Sequence, residues 1–315
     1  MRALACLLED ATAGDPCTGL LWTHRSLRKL AQALGRHGIR LAPNTIARLL
    51  DQAGFSLRTN RKRLAEVNDP DRDRQFRYLR RLRKLYLKRG WPVISVDTKK
   101  KEWIGPFKNP GRTWRRAARA VLAHDFPSCA VGPAIPYGIY DVAHNDGFVV
   151  VGTSHETPAF ACASLRRWWL MVGRRRYPQA QRLLIEADCG GANDYRKWEW
   201  KVGLQQLADE FDLVITVTHY PPGASKWNPI DHRMFSLISG NWAGEPLVSY
   251  ETILQHIRRT RSATGFHCRA VLDRHDYPPG WRATPADKAR VSLQPCRVLP
   301  AWNYSIWPHT RHRSY

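Results

Sequence analysis

Short β-branched runs that end in a lone carboxylate constrain this chain most. Val93–Val96 ends in Asp97, and Leu183–Ile185 leads to Asp188. A third run, Leu213–Val217, is followed by a loop and then by Asp231 near a helix start. Tyr137–Val142 and Phe148–Val151 flank Asn145-Asp146-Gly147, which reads as a hairpin turn. Thr157–Val172, Asn193–Glu210 and Asn228–Ile238 carry helical patterns, with Gly203 a weak point in the second. The order is strand, hairpin, helix, strand, helix, strand, helix. It predicts an α/β fold around a mixed sheet with antiparallel and parallel parts. In such sheets ligand sites gather at the carboxyl ends of strands. If the strands of Asp97 and Asp188 are neighbours, both acids enter one crevice, and Asp231 can join them.

Three converging carboxylates suit a hard cation such as Mg²⁺ or Mn²⁺. Two like charges at ~4 Å repel by about 4 kcal/mol at an effective dielectric of 20, a penalty that a divalent ion reverses. Two ions ~3.5–4 Å apart can clamp both sides of a phosphoryl displacement. On spacing alone, three unrelated acids serving as caps or surface ion pairs is the simpler reading.

Charge identifies the partner. Lys and Arg number 50 against 27 Asp and Glu, a formal net charge of +23. With 43% hydrophobic residues and 13 Trp, a disordered basic tail is excluded. The partner is a polyanion, and nucleic acid leads over a membrane surface. No 18-residue apolar run is present, so no transmembrane span is expected. Met1–Leu8 soon meets Glu9 and Asp10 and lacks the form of a signal peptide. Seven cysteines, odd in number and without a CxxC pair, signal neither a disulfide framework nor a zinc ribbon. His267-Cys268 with His275 is too loose for zinc. This cysteine usage agrees with a cytosolic setting.

Residues 58–119 hold 21 Lys/Arg and 6 Asp/Glu, a local net of +15. The run includes Arg61, Lys62 and Arg63, then a helical stretch over Arg72–Arg89 with Phe76, Leu79, Leu82, Leu85 and Tyr86 on one side. It continues through Lys99, Lys100, Lys101, Lys108, Arg112, Arg115, Arg116 and Arg119. These residues are expected to contact DNA phosphates. Upstream, Leu27, Leu30, Ala31 and Leu34, then Ile46, Leu49, Leu50 and Ala53, repeat a helical spacing. Gly35 and Gly38 lie between, Pro43 fits the first turn of the second helix, and Gly54 fits its C-terminal cap. The pair reads as a helix-turn-helix whose second helix presents Asn44, Thr45 and Arg48 to bases.

These strings together resemble a family. Val96-Asp97-Thr98-Lys99-Lys100-Lys101-Glu102, the segment Ile185 to Asn193, and the segment His219 to Arg233 with its Asn228-Pro229-Ile230-Asp231 string are similar to the Rhodopirellula-type DDE transposases of bacterial insertion sequences. So are Phe107-Lys108-Asn109, Gly111-Arg112-Thr113-Trp114, Tyr140-Asp141-Val142 with Asn145-Asp146-Gly147, and Leu299-Pro300-Ala301-Trp302-Asn303-Tyr304. The Asn-Pro-Ile-acid string is shared with mariner-like transposases. The likeness spans roughly residues 10 to 308.

The resemblance implies an RNase H-like catalytic domain preceded by a small all-α helix-turn-helix segment. It makes Asp97, Asp188 and Asp231 the catalytic, metal-binding acids for two Mg²⁺, with Mn²⁺ as a substitute and Asp97 bridging both ions. The implied reaction cuts double-stranded DNA at the element ends and joins the freed 3′-hydroxyl to target DNA, with two ends paired by a homodimer or higher assembly. Lys226 and Trp227, before the third acid, would contact an end base, although Trp227 equally suits helix packing. The expected boundaries are 1–57 for the helix-turn-helix, 58–90 for a basic helical linker, 91–260 for the catalytic domain and 261–315 for a C-terminal extension.

Two departures from the family pattern stand out. The third acid is Asp231 where the family usually has Glu, leaving Glu245 and Glu251 as fallbacks. Members also usually extend further upstream, so a preceding DNA-binding segment is expected. The alternatives are a catalytically impaired, truncated product acting as a DNA-binding repressor, and a structure-selective nuclease on the same fold.

Overall fold

The computed structural model describes residues 26–55, 70–224 and 227–310, together with the backbone of two short strands near the N-terminus. The chain divides into two compact units, residues 1–64 and 65–315.

In the first unit, β1 (Thr12–Gly14) pairs antiparallel with β2 (Leu21–Thr23). Two helices follow, α1 (Leu27–Arg36) and α2 (Pro43–Gln52). The Ser26 side chain caps α1 by accepting the Lys29 amide at 3.3 Å. Gly38, at φ 78°, turns the chain out of α1. Leu30, Leu34 and Ile46 close a small core between the helices. Asn44 and Arg48 are exposed on α2 and Thr45 is half-buried. The helix pair follows the apolar spacing, whereas the all-α expectation misses the strands. Three-residue strands have too little length to carry a readable alternation.

The second unit opens with α3 (Arg72–Lys88) and β3 (Val93–Thr98). Next come β4 (Glu102–Ile104) and the hairpin of β5 (Gly132–Asp141) with β6 (Asp146–Gly152). Helix α4 (Pro158–Trp168), β7 (Arg182–Ala187), α5 (Trp198–Phe211) and β8 (Val214–His219) complete the alternating part. A π-helical turn over Asp231–Phe235 leads into α6 (Ser236–Asn241), followed by α7 (Tyr250–Arg259). The chain closes with β9 (His267–Asp273), α8 (Pro285–Ala289), β10 (Leu293–Pro295) and β11 (Asn303–Ile306).

Among the described residues, nine strands form one sheet in the order β10-β11-β8-β7-β3-β5-β6-β9, with β4 beside β5. The run β6-β5-β3 is antiparallel, and β3-β7-β8 is parallel. This is the mixed sheet with antiparallel and parallel parts that the order of elements predicts. One face packs on α4 and α5 through Ile94, Val96, Ile185, Val217, Phe160, Trp168, Trp200 and Leu204, all buried. On the other face, Tyr140, Val149 and Val151 meet Ile230, Met234 and Ile238 and, from α7, Ile253 and Ile257.

The described part of the stretch expected as a linker, residues 70–90, packs into this unit. Tyr86 of α3 packs with Val93 and Leu184. Gln75, fully buried, donates to Thr218 Oγ1, to the His219 carbonyl at 2.7 Å and to Asn303 Oδ1 at 2.9 Å. Arg83 makes a two-pronged ion pair with the fully buried Glu186, at 2.8 and 2.5 Å. Leu85, expected on the packing side, is exposed. Nor do residues beyond 260 stand apart as an extension, because β9 joins β6 and β11 joins β8. Asn303, paired with Gln75, is part of the reason that β11 docks there.

Candidate active site

The parallel register of β3 on β7 sets Val96 opposite Ala187. One step further along both strands, Asp97 lies beside Asp188 at their carboxyl ends. Adjacent strands are about 4.8 Å apart, and residues in register point to the same face. Both acids are partly buried. The Asp97 carboxylate accepts the Thr98 amide at 2.7 Å, and Asp188 accepts the Gly190 amide at 3.4 Å.

Asp231 reaches this face through the residues before it. Ser95, two positions before Asp97 and fully buried, donates to the Asn228 side-chain oxygen. Its hydroxyl also accepts the Ile230 amide at 3.2 Å, and Asn228 reaches the Val96 carbonyl at 3.4 Å. Ile230 is fully buried in the core under β5 and β6. The Asn-Pro-Ile string is therefore a clip: Asn228 grips β3, Pro229 starts the helix, Ile230 anchors it and Asp231 follows.

The loop after Asp188 is held as firmly. Buried His219 meets the Asp188 carbonyl through Nδ1 at 2.7 Å. Burial pushes this imidazole down to about 4, so it is neutral at pH 7. Tyr137 donates to Asn193 Oδ1 at 2.9 Å, tying the loop to β5. Gly191 has φ 63°, and a Cβ there would sit 2.7 Å from a Glu156 carboxylate oxygen, so the position requires glycine.

The electrostatics of the three acids are linked. Burial, then the charges of Asp188, Asp231 and Glu156, push the Asp97 carboxyl up to about 8, against the pull of the Thr98 amide. Burial and the neighbouring Asp231, Glu156 and Asp194 push Asp188 up to about 6. Burial also raises Asp231. Among the described residues, neither Asp97 nor Asp188 has an ion pair to Lys, Arg or His. Nor do any three His, Cys, Asp or Glu side chains close on a single point as they stand. The donor set is all carboxylate, the oxygen chemistry that hard divalent cations take. A cation there would relieve the repulsion that raises Asp97.

The remaining expected residues scatter more widely. Lys99 is occupied: it pairs with Glu102 at 3.2 Å and lies 4.6 Å over the Trp242 ring. Lys100, Lys101, Lys108 and Arg112 are exposed, with Lys101 over Trp103. Trp227 is exposed and meets Phe76 edge-on at 6.1 Å. Arg61, Lys62, Arg63 and Lys226 lie outside the described residues. Glu245 pairs with Arg115 and Arg119, and Glu251 with Arg258, so each fallback acid already has a partner. His267 sits 3.3 Å from Asp146 rather than in a metal cluster. Glu156 was not expected at the site. It accepts the Ala192 amide at 3.3 Å, a long-range contact with no local sequence signal.

Comparison with known proteins gives the following likenesses. A family model described as Rhodopirellula transposase DDE domain matches residues 3–308. No curated protein matches the chain. Among solved structures, the Mos1 mariner paired end complex with Mn aligns at a TM-score of 0.45 and 15% identity, covering 81% of this chain and 68% of that one. The Mos1 transposase paired-end complex with the left transposon end aligns at 0.44 and 13% identity, with the same coverage. The HTLV-2 integrase catalytic core domain in complex with magnesium aligns at 0.29 and 11% identity, covering 56% of this chain and 90% of that one. With the family model matched along nearly its whole length, this chain belongs to the Rhodopirellula-type DDE transposases.

Proposed function

We propose that the chain cleaves DNA at insertion-sequence ends and transfers the freed strand into target DNA, with Asp97, Asp188 and Asp231 as the acids of a two-ion site. The observation that carries this reading is the β3–β7 register, which puts two uncompensated carboxylates side by side at the carboxyl ends of parallel strands. Asp97 would be shared between the ions, Asp188 would hold one and Asp231 the other. Mg²⁺ or Mn²⁺ bound there would supply Lewis-acid activation and stabilise charge building up on the phosphate.

The chain's own residues do the positioning. Ser95 and Asn228 fix the helix of Asp231 to the strand of Asp97. Neutral His219 holds the Asp188 backbone without adding a competing positive charge. Asn44, Thr45 and Arg48 would read bases. Lys100, Lys101, Lys108 and Arg112 would hold phosphates and account for a steep salt dependence. Lys226 and Trp227 would meet an end base, and a dimer on DNA would pair the two ends. We also propose that residues 1–57 form the DNA-reading segment and residues 91–260 hold the chemistry.

The test is nicking of supercoiled plasmid with Mn²⁺ by Asp97→Asn and Asp188→Asn variants. The expected loss is at least about a hundredfold for each. Nicking that survives either change refutes the site. The shorter third acid favours a second reading, a DNA-binding repressor. That reading predicts specific binding to a terminal repeat and no cleavage by the unaltered chain under any divalent ion.

A further inference from the structure

Away from the acids, α3 and the β10–β11 hairpin line an open cavity of about 540 Å³. Arg81, Arg182 and Arg297 line it, with Tyr78, Cys296 and Trp307, and no carboxylate is among its lining residues. Several guanidiniums of this unit are matched with acids: Arg83 with Glu186, Arg166 with Glu210, Arg176 with Asp141 and Asp146. Among the described residues, Arg81, Arg182 and Arg297 have no such partner. Three like charges around one concavity repel one another, and an anion placed between them turns that cost into binding.

The pocket is also partly preorganised. The Arg182 guanidinium is stacked between two indoles, 5.5 Å from the Trp91 centroid and 5.2 Å from that of Trp307. These contacts position the guanidinium, and part of its N–H edge meets the Tyr86 side chain. Tyr78 adds a second aromatic wall. Cations that match a phosphate, together with aromatic faces that match a base, are the two halves of single-strand recognition.

We infer that this cavity binds one phosphorylated nucleotide of an unpaired DNA strand, with the phosphate among the three arginines and the base against the aromatic walls. Arg182 begins β7 and Asp188 follows its end, so the cavity lies about 20 Å from the acids at ~3.3 Å per residue. That is about six base steps of duplex at 3.4 Å each. A strand would therefore be gripped well away from the bond that is cut. This extends the DNA-cleaving reading and rests on it only for the source of the nucleotide.

The experiment has two arms. In the first, calorimetry measures dAMP and deoxyadenosine on the full chain and on an Arg81→Ala/Arg297→Ala variant. Both of these arginines are exposed, and the single Arg297→Ala variant serves if the double one folds poorly. The expected result is dAMP binding that weakens at least about tenfold in the variant, and no measurable deoxyadenosine binding. Equal dAMP binding by parent and variant, or equal binding of dAMP and deoxyadenosine, overturns the pocket. The second arm compares a blunt duplex with the same duplex carrying a six-nucleotide single-stranded tail. The tail should raise affinity at least about fivefold in the parent and add nothing in the variant. No tail advantage in the parent, with dAMP still bound, overturns the strand as the source and leaves a free nucleotide. Repeating this arm with Asp97→Asn separates the two proposals, since the tail effect should persist where nicking is lost.

Discussion

The two ends of the central sheet both bury carboxylates and treat them in opposite ways. At the end where β5 turns into β6, Asp141 and Asp146 are almost wholly buried. Arg176 bridges them at 2.9 and 2.6 Å, Arg269 meets Asp146 at 2.6 Å and Tyr177 donates to Asp141 at 2.8 Å. At the other end, Asp97 and Asp188 face each other without an arginine between them. The contrast separates acids compensated within the fold from acids that have no positive partner among the described residues. It also accounts for the Tyr140-Asp141-Val142 and Asn145-Asp146-Gly147 strings, whose acids lock the hairpin.

The comparison can be broken by mutation. Replacing Asp97 with Asn should abolish nicking yet raise the melting temperature of the metal-free protein at pH 8, because a repelled charge is removed. Arg176→Met should do the reverse in stability, costing about 3–5 kcal/mol by leaving two buried acids unpaired. Chemical denaturation of both variants checks the pair, and a stabilised Arg176→Met would collapse the distinction.

A smaller effect follows from pH. Asp97 is pushed up to about 8 in the fold from an unfolded value near 3.8. Below about pH 4 both states hold the proton, whereas between 4 and 8 only the folded state keeps it. The chelated protein should therefore lose this share of its stability progressively as pH rises from about 4 to about 8, with no further loss above 8. Asp97→Asn should lack that loss, and added Mn²⁺ should restore stability at high pH. Melting curves from pH 5 to 9 with and without EDTA decide it, and identical slopes for the two proteins would contradict the coupling.

Asp231→Glu should retain nicking within about tenfold of the parent, or raise it, since one methylene is restored. A total loss would show that the helix has settled around the shorter acid. The smallest effect is expected on α3, where Arg77 and Lys84 are exposed on the basic face. Arg77→Ala/Lys84→Ala should lower the slope of log affinity against log salt by about 0.9 for each phosphate that the variant no longer neutralises, measured by anisotropy.

Much of the candidate site's placement in the fold was legible because it rests on local signals. The acids after Val96 and Ala187 follow strands whose β-branched runs are plain, and Asn228-Pro229-Ile230-Asp231 carries its own helix start. What could not be read depends on distant partners. Nothing near Gln75 announces that an amide among arginines will lie buried against Thr218 and Asn303. Nothing near Glu156 places it beside Gly191. Lys99 looks like its neighbours Lys100 and Lys101 until Trp242, far along the chain, covers it.

The Ser95–Asn228 clip has a mechanical consequence. Asp97 and Asp231 ride on elements pinned to each other within a few residues, so their separation acts as a fixed gauge. Asp188 belongs to a different strand and a loop with its own tethers. In the proposed two-ion site, any adjustment of the gap between the ions would then fall to one jaw of a vice, with the other two acids serving as its anvil.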